Sequence, residues 1–135
     1  MKFVERGARV FITRRNPKKL NLIADALNTI KPLYTESEVI AINDNEKAAV
    51  GADILIGTSA GTQVITQNMV KNISDKALII DVGKGTLDDE ALKMAEERDI
   101  SVYRLDVTAA IEGLLTALYS SENIIENVIG RREIN

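Results

Sequence analysis

The sequence predicts an α/β domain, a three-layer α/β/α arrangement around a five-stranded parallel sheet. Three observations point to it. Short aliphatic, β-branched runs alternate with segments whose apolar residues recur at helical spacing. The connections are short and free of low-complexity sequence, so strand, helix and strand follow one another as right-handed crossovers. Apolar residues make up 45% of the chain and aromatic ones only 4%, so Ile, Val, Leu and Ala build the core, as suits parallel strands covered on both faces.

The elements follow in order. Phe3 to Ala8 reads as the tail of a helix with a glycine stop at Gly7. Val10-Phe11-Ile12 is a β-rich run that ends in a basic turn. Asn16 is a good N-cap and Pro17 suits the first helical position; Leu20, Ile23, Ala24, Leu27 and Ile30 then recur at helical spacing, and Pro32 closes the segment. Glu38 to Ile42 is the second strand. Asn43-Asp44-Asn45 caps a short helix through Lys47, Ala48 and Val50, and Asp53 to Ile56 is the third strand. After the small-residue loop Gly57 to Thr62 comes a helix through Met69 and Val70. Lys76 to Val82 is the fourth and most apolar strand. Asp88-Asp89 places negative charge on the first turn of the next helix, with Leu87, Ala91, Met94 and Ala95 inward. Ile100 to Leu105 is the fifth strand. A long helix follows from near Thr108 past Leu118, with a second piece through Ile125 and Ile129 to Gly130.

At 135 residues the chain fits a single domain over 1–135. A formal charge of −3 argues against a nucleic-acid partner. With no cysteine and no histidine, disulfides, thiolate chemistry, Ser-His or Cys-His nucleophiles and histidine-based zinc sites are excluded within the chain. No apolar run approaches the roughly 20 residues needed to span a membrane, and the first residues are too charged for a signal peptide. A cytoplasmic protein with no membrane partner is expected.

Ligands of open α/β sheets bind outside the carboxyl ends of the strands. Two loops there are chemically distinctive. Thr13-Arg14-Arg15-Asn16-Pro17-Lys18 has two arginines and no acid at a strand end. A ribose 2′-OH calls for an acid in that place, whereas a 2′-phosphate calls for cationic donors, and arginine can bind it bidentately. A solvated basic turn is the plainer alternative. Gly57-Thr58-Ser59-Ala60-Gly61-Thr62 lets a ligand approach the backbone and offers hydroxyl donors; an ordinary Gly/Ser turn has the same composition. Gly83-Lys84-Gly85 begins like a GxGxxG fingerprint, but Asp88 stands where its last glycine should fall, so a flexible turn is the better reading. Asp81, ending a buried strand, is placed either to orient a ligand or to bond to neighbouring amides, and the second is the better reading.

Together these loops resemble a known group of enzymes. Arg14 and Lys18, four apart, are similar to the Asn-Arg-Thr-x-x-Lys motif that grips NADP in shikimate dehydrogenases, with Thr13 in place of Asn and Arg15 in place of Thr. Ala52 to Gly61 is similar to the Ala-Asp-hydrophobic strand and small-residue loop of that family. Val64 to Lys71, followed by Ala77 to Gly83, resembles methylenetetrahydrofolate dehydrogenase/cyclohydrolases and methylenetetrahydromethanopterin dehydrogenases. The resemblance spans roughly Gly7 to Leu105. It implies a Rossmann-like NADP-binding module of an oxidoreductase, with Thr13, Arg14, Arg15 and Lys18 at the 2′-phosphate, Thr58, Ser59 and Gly61 along the cofactor channel, and Gly83 and Lys84 toward the nicotinamide.

The departures from that family are as informative. The first strand of the dinucleotide fold and its glycine-rich loop are missing, and so is the separate catalytic domain, so no catalytic residue carries over. A full dinucleotide domain has strand order 3-2-1-4-5-6. Without its first strand there are three alternatives: the slot closes to a flavodoxin-like order 2-1-3-4-5, another chain fills it, or the sequence is a fragment. The Arg-rich first loop disfavours a flavin, and Ile56-Gly57 disfavours a phosphorelay receiver. The favoured expectation is an incomplete NADP-binding module that turns over little by itself, completed by a missing catalytic domain or partner chain, with a homo-oligomer left open. The alternative is a non-enzymatic nucleotide-binding or protein-interaction module.

Overall fold

The computed structural model describes residues 1–105 and 111–120. The elements run α1 (Lys2–Glu5), β1 (Val10–Ile12), α2 (Pro17–Ile30), β2 (Val39–Ala41), α3 (Asn45–Ala49), β3 (Ile54–Gly57), α4 (Gln67–Asn72), β4 (Leu78–Asp81), α5 (Asp89–Glu97) and β5 (Ser101–Arg104). Residues 111–120 are helical. The expected start of that helix near Thr108 and the piece through Ile125 and Ile129 lie outside the described residues.

Local chemistry sets the boundaries. The Asn16, Asp44, Thr66 and Asp88 side chains each accept a hydrogen bond from a backbone N–H three residues on, and so start α2, α3, α4 and α5. Gly7, at φ +88°, stops α1. Its N–H donates to the Val4 carbonyl and that of Ala8 to the Phe3 carbonyl, each at 3.0 Å, the paired bonds of a Schellman turn. The carbonyl end of α4 is capped from outside. Arg98 donates to the Val70 and Ile73 carbonyls and to the Asp75 carboxylate, tying the end of α5 to the end of α4.

All strand pairs are parallel, but they form two sheets. β1 pairs with β2, and β3-β4-β5 form a separate three-stranded sheet. The expected single five-stranded sheet is not formed, and neither is the closed order 2-1-3-4-5, because β1 and β3 do not pair. Length supplies a reason. Alternate residues of a parallel strand address opposite neighbours. Val10 donates to Glu38 and Ile12 accepts from Ile42, so within β1 only Phe11 turns its backbone groups away from β2. Closing the sheet through one residue gains at most two hydrogen bonds.

Each sheet has its own core. Ala49 of α3, Met69 and Val70 of α4, and Ala91 and Ala95 of α5 pack with Ile79 of β4, and the half-buried Leu55 and Val102 flank it on the same face. Val4, Ala24 and Val39 make the second, smaller cluster beneath α1 and α2. Of the inward stripe expected on α2, Leu20 and Ala24 are buried, whereas Ile23 and Ile30 are exposed, since a two-stranded sheet is narrower than the helix's apolar face. The other face of β3–β5 shows Ile54, Ile56 and Tyr103 to solvent, and the apolar residues of the 111–120 helix, Ile111, Leu114, Leu115 and Leu118, are exposed as well. Helices therefore cover only one face of that sheet among the described residues.

Ile79 has no exposed surface and sits in the central strand. Ile79→Ala is expected to lower the unfolding free energy by about 3 kcal/mol in urea titration, whereas Phe11→Ser at the uncovered edge of β1 should change it by less than about 1 kcal/mol.

Candidate functional site

The carboxyl ends of the strands hold two neighbouring groups of loops. In the first, an open cleft of about 360 Å³ is lined by Arg14 and Arg15 after β1, Asn43 to Glu46 after β2, and Val64, Thr66 and Met69 around the start of α4. It spans both sheets. Its arginines are exposed and form no ion pair or side-chain hydrogen bond with the described residues. Its acids are engaged: Asp44 caps Lys47 N–H at 3.1 Å and lies 3.7 Å from its ammonium, and Glu46 accepts from Asn68 at 2.6 Å. The two guanidinium groups are therefore left available for an anion. Thr13, before the arginines, and Lys18, in the first turn of α2, are exposed but do not line the cleft.

The second group is built around Asp81. This carboxylate is 1% exposed and accepts from Gly85 N–H at 2.8 Å, Thr86 N–H at 3.2 Å, the Thr86 hydroxyl at 2.8 Å and Arg104 Nε at 3.0 Å. Burial pushes its pKa up, but the bonds from Gly85, Thr86 and Arg104 together outweigh that and hold it at about 2. The expectation that Asp81 bonds to neighbouring amides is met. The Gly83-Lys84-Gly85 turn is thereby anchored, with Lys84 at φ +57° and Gly85 at φ +96°.

That turn is joined to the small-residue loop. Val82 and Gly83 N–H donate to the Gly57 carbonyl, and Gly61 N–H donates to the Gly83 carbonyl at 2.9 Å. A Cβ at Gly83 would overlap the Ser59 carbonyl, and one at Gly57 would overlap the Thr86 side chain. The two glycines are required by close approach of backbone to backbone and of backbone to a buried threonine. Thr58, Ser59, Gly61, Gly83 and Lys84 are thus brought together, but none of them lines the arginine cleft. The Ser59 hydroxyl donates to the Thr62 carbonyl at 2.7 Å, closing its own loop.

Sequence reasoning found the arginines but not their neighbours. Asp44 was legible as a cap, whereas the approach of Val64, Thr66 and Met69 to Arg14 and Arg15 is a long-range contact with no local signal. No group of acidic residues able to hold a metal ion occurs among the described residues, and no described helix is long and apolar enough to cross a membrane. No family model, curated protein or solved structure matches the chain.

Two outcomes follow. A carboxylate whose folded pKa is depressed stabilises the fold above its unfolded value and loses that contribution as pH falls through the folded value. Stability measured by urea titration should therefore drop by about 2 kcal/mol between about pH 5 and pH 2. Asp81→Asn, already weaker at neutral pH, should lose that part of the slope. Gly83→Ala is expected to cost about 1–3 kcal/mol and to shift the amide resonances of both loops, because the added methyl must push Ser59 away.

Proposed function

We propose that this chain is the NADP-binding module of a dehydrogenase of the methylene-pterin or shikimate type, Rossmann-like in plan. One observation carries the reading: two exposed arginines with no carboxylate partner among the described residues line a cleft at the carboxyl ends of parallel strands. Its volume lies within the roughly 300–1,000 Å³ of small-molecule sites. Arg14 and Arg15 would hold the 2′-phosphate, with Thr13 and Lys18 beside them on the turn. Asn43 and Asn45 offer amide groups to the adenosine, and Val64 and Met69 an apolar wall.

The loops around Asp81 are a rigid floor on the nicotinamide side. There Thr58, Ser59, Gly61, Gly83 and Lys84 would line the cofactor channel. When bound, NADP supplies the hydride chemistry; the residues here bind and orient it. The catalytic groups and the substrate site belong to a further domain or partner chain, so the module alone is expected to bind without turnover. A protein-interaction module is the second reading, favoured by the exposed Ile54 and Ile56.

Calorimetry with NADP, NAD and 2′,5′-ADP tests the first. NADP and 2′,5′-ADP should bind more tightly than NAD. The double substitution Arg14→Ala, Arg15→Ala should weaken both phosphorylated ligands by about 100-fold or more, given about 1.5–3 kcal/mol for each of two charged hydrogen bonds, and leave NAD unchanged. Equal affinity for NAD and NADP in the unsubstituted protein sinks the assignment.

A further inference from the structure

We infer that the helix of residues 111–120 is a strap of this chain that docks on the open face of the β3-β4-β5 sheet and closes it as a second helical layer. The strand register defines the seat. Leu55, Ile79 and Val102 are aligned across the three strands and pack with α4 and α5, so the next row, Ile56, Ile80 and Tyr103, and the row of Ile54 and Leu78 before it share the opposite face. On that face Ile54 is 42% exposed, Ile56 40% and Tyr103 62%. Parallel sheets are stable when both faces are covered, and among the described residues no helix covers this one.

The helix carries the matching surface. Ile111, Leu114, Leu115 and Leu118 recur at i, i+3, i+4 and i+7, an apolar stripe roughly 100° wide, and Glu112, Thr116 and Ser120 stand on the other side. Each of the four apolar side chains is 46% exposed or more. The dimensions agree as well. Ten helical residues extend about 15 Å, and the four-residue strands roughly 13 Å. Three strands are about 10 Å across, the width of one helix. A single helix therefore fills the face.

The tether selects the occupant. Only residues 106–110 separate the helix from Leu105, whose N–H extends the β5 ladder to the Asp81 carbonyl. From Leu105 to Ile111 the chain takes Cα steps that span at most roughly 20 Å, and a layer packed on a sheet lies about 10 Å above it. The helix therefore reaches the face of its own sheet. A segment held so closely is presented to that face at an effective concentration of about millimolar, above that of a separate chain. The other long apolar helix, α2, packs on β2 in the smaller core. A docked strap covers Ile54 and Ile56, the residues that favour a protein-interaction module. The inference is independent of the nucleotide reading.

The test is methyl NMR on the full 135-residue protein with no nucleotide present. Nuclear Overhauser contacts are expected from the Ile56 and Ile80 methyls to those of Leu114, Leu115 or Leu118. Ile79, on the covered face, should show none to the helix. A mixture of labelled and unlabelled copies, filtered for contacts between chains, should give none either. Leu115→Asp combined with Leu118→Asp should abolish the contacts and shift the resonances of Ile54, Ile56 and Ile80, while Ile79 stays in place. No contact between the helix and this face in the unsubstituted protein overturns the inference, whether or not the double variant folds. Resonances of Ile54 and Ile56 that a folded double variant leaves unmoved overturn it as well. Contacts found only between chains make the occupant a second copy and overturn it too.

Discussion

Parallel strands hold one another only through continuous hydrogen-bond ladders, and in this chain the ladder stops between β1 and β3. Much of the architecture follows from that interruption. Two short ladders make two sheets, each sheet gathers its own helices, and the cores divide accordingly: a larger one under α4 and α5 and a smaller one under α1 and α2. Contacts between the halves come from the α3–α4 packing and from the loops at the strand ends. Buried polar groups elsewhere are satisfied, and no buried side-chain atom among the described residues lacks a partner.

The two loop groups at the strand ends use charge in opposite ways. Asp81 is buried and saturated with donors, and its role is to hold a turn in place. Burial makes a carboxylate expensive, yet four hydrogen bonds, one of them from Arg104, keep it ionised. Arg14 and Arg15 are exposed and form no ion pair with the described residues, and the cleft acids near them are committed to Lys47 and Asn68. A saturated charge is structural; a charge left available faces outward for something else. This contrast separates the anchored Gly83-Lys84-Gly85 turn from the exposed arginines.

Much of the local structure was legible. Asn16-Pro17, Asp88 and Gly7 each carry backbone chemistry that sets a helix end irrespective of distant contacts, and all three act where the residue pattern places them. The apolar runs Val10 to Ile12 and Leu78 to Asp81 form strands for the same reason. Ile23 and Ile30 on α2 were not legible as exposed, because helical periodicity says which face is apolar and not how wide the surface beneath it is. The cleft was half legible. Two arginines at a strand end are a sequence signal, but Val64, Thr66 and Met69 reach them only through the crossover that carries α4.

By itself the sequence determined the order and type of the elements, their caps, the parallel sense implied by short crossovers, and the basic turn after the first strand. Those are consequences of backbone propensity and local hydrogen bonding. Tertiary structure alone decided whether five strands make one sheet or two, which glycines are needed for close approach, and that the Asn28 carboxamide pairs with the Val39 backbone at the outer edge of β2. These depend on groups far apart in the chain, where the gain from pairing must exceed the cost of bringing them together. For β1 and β3, with a single β1 residue turned away from β2, the chain leaves them unpaired.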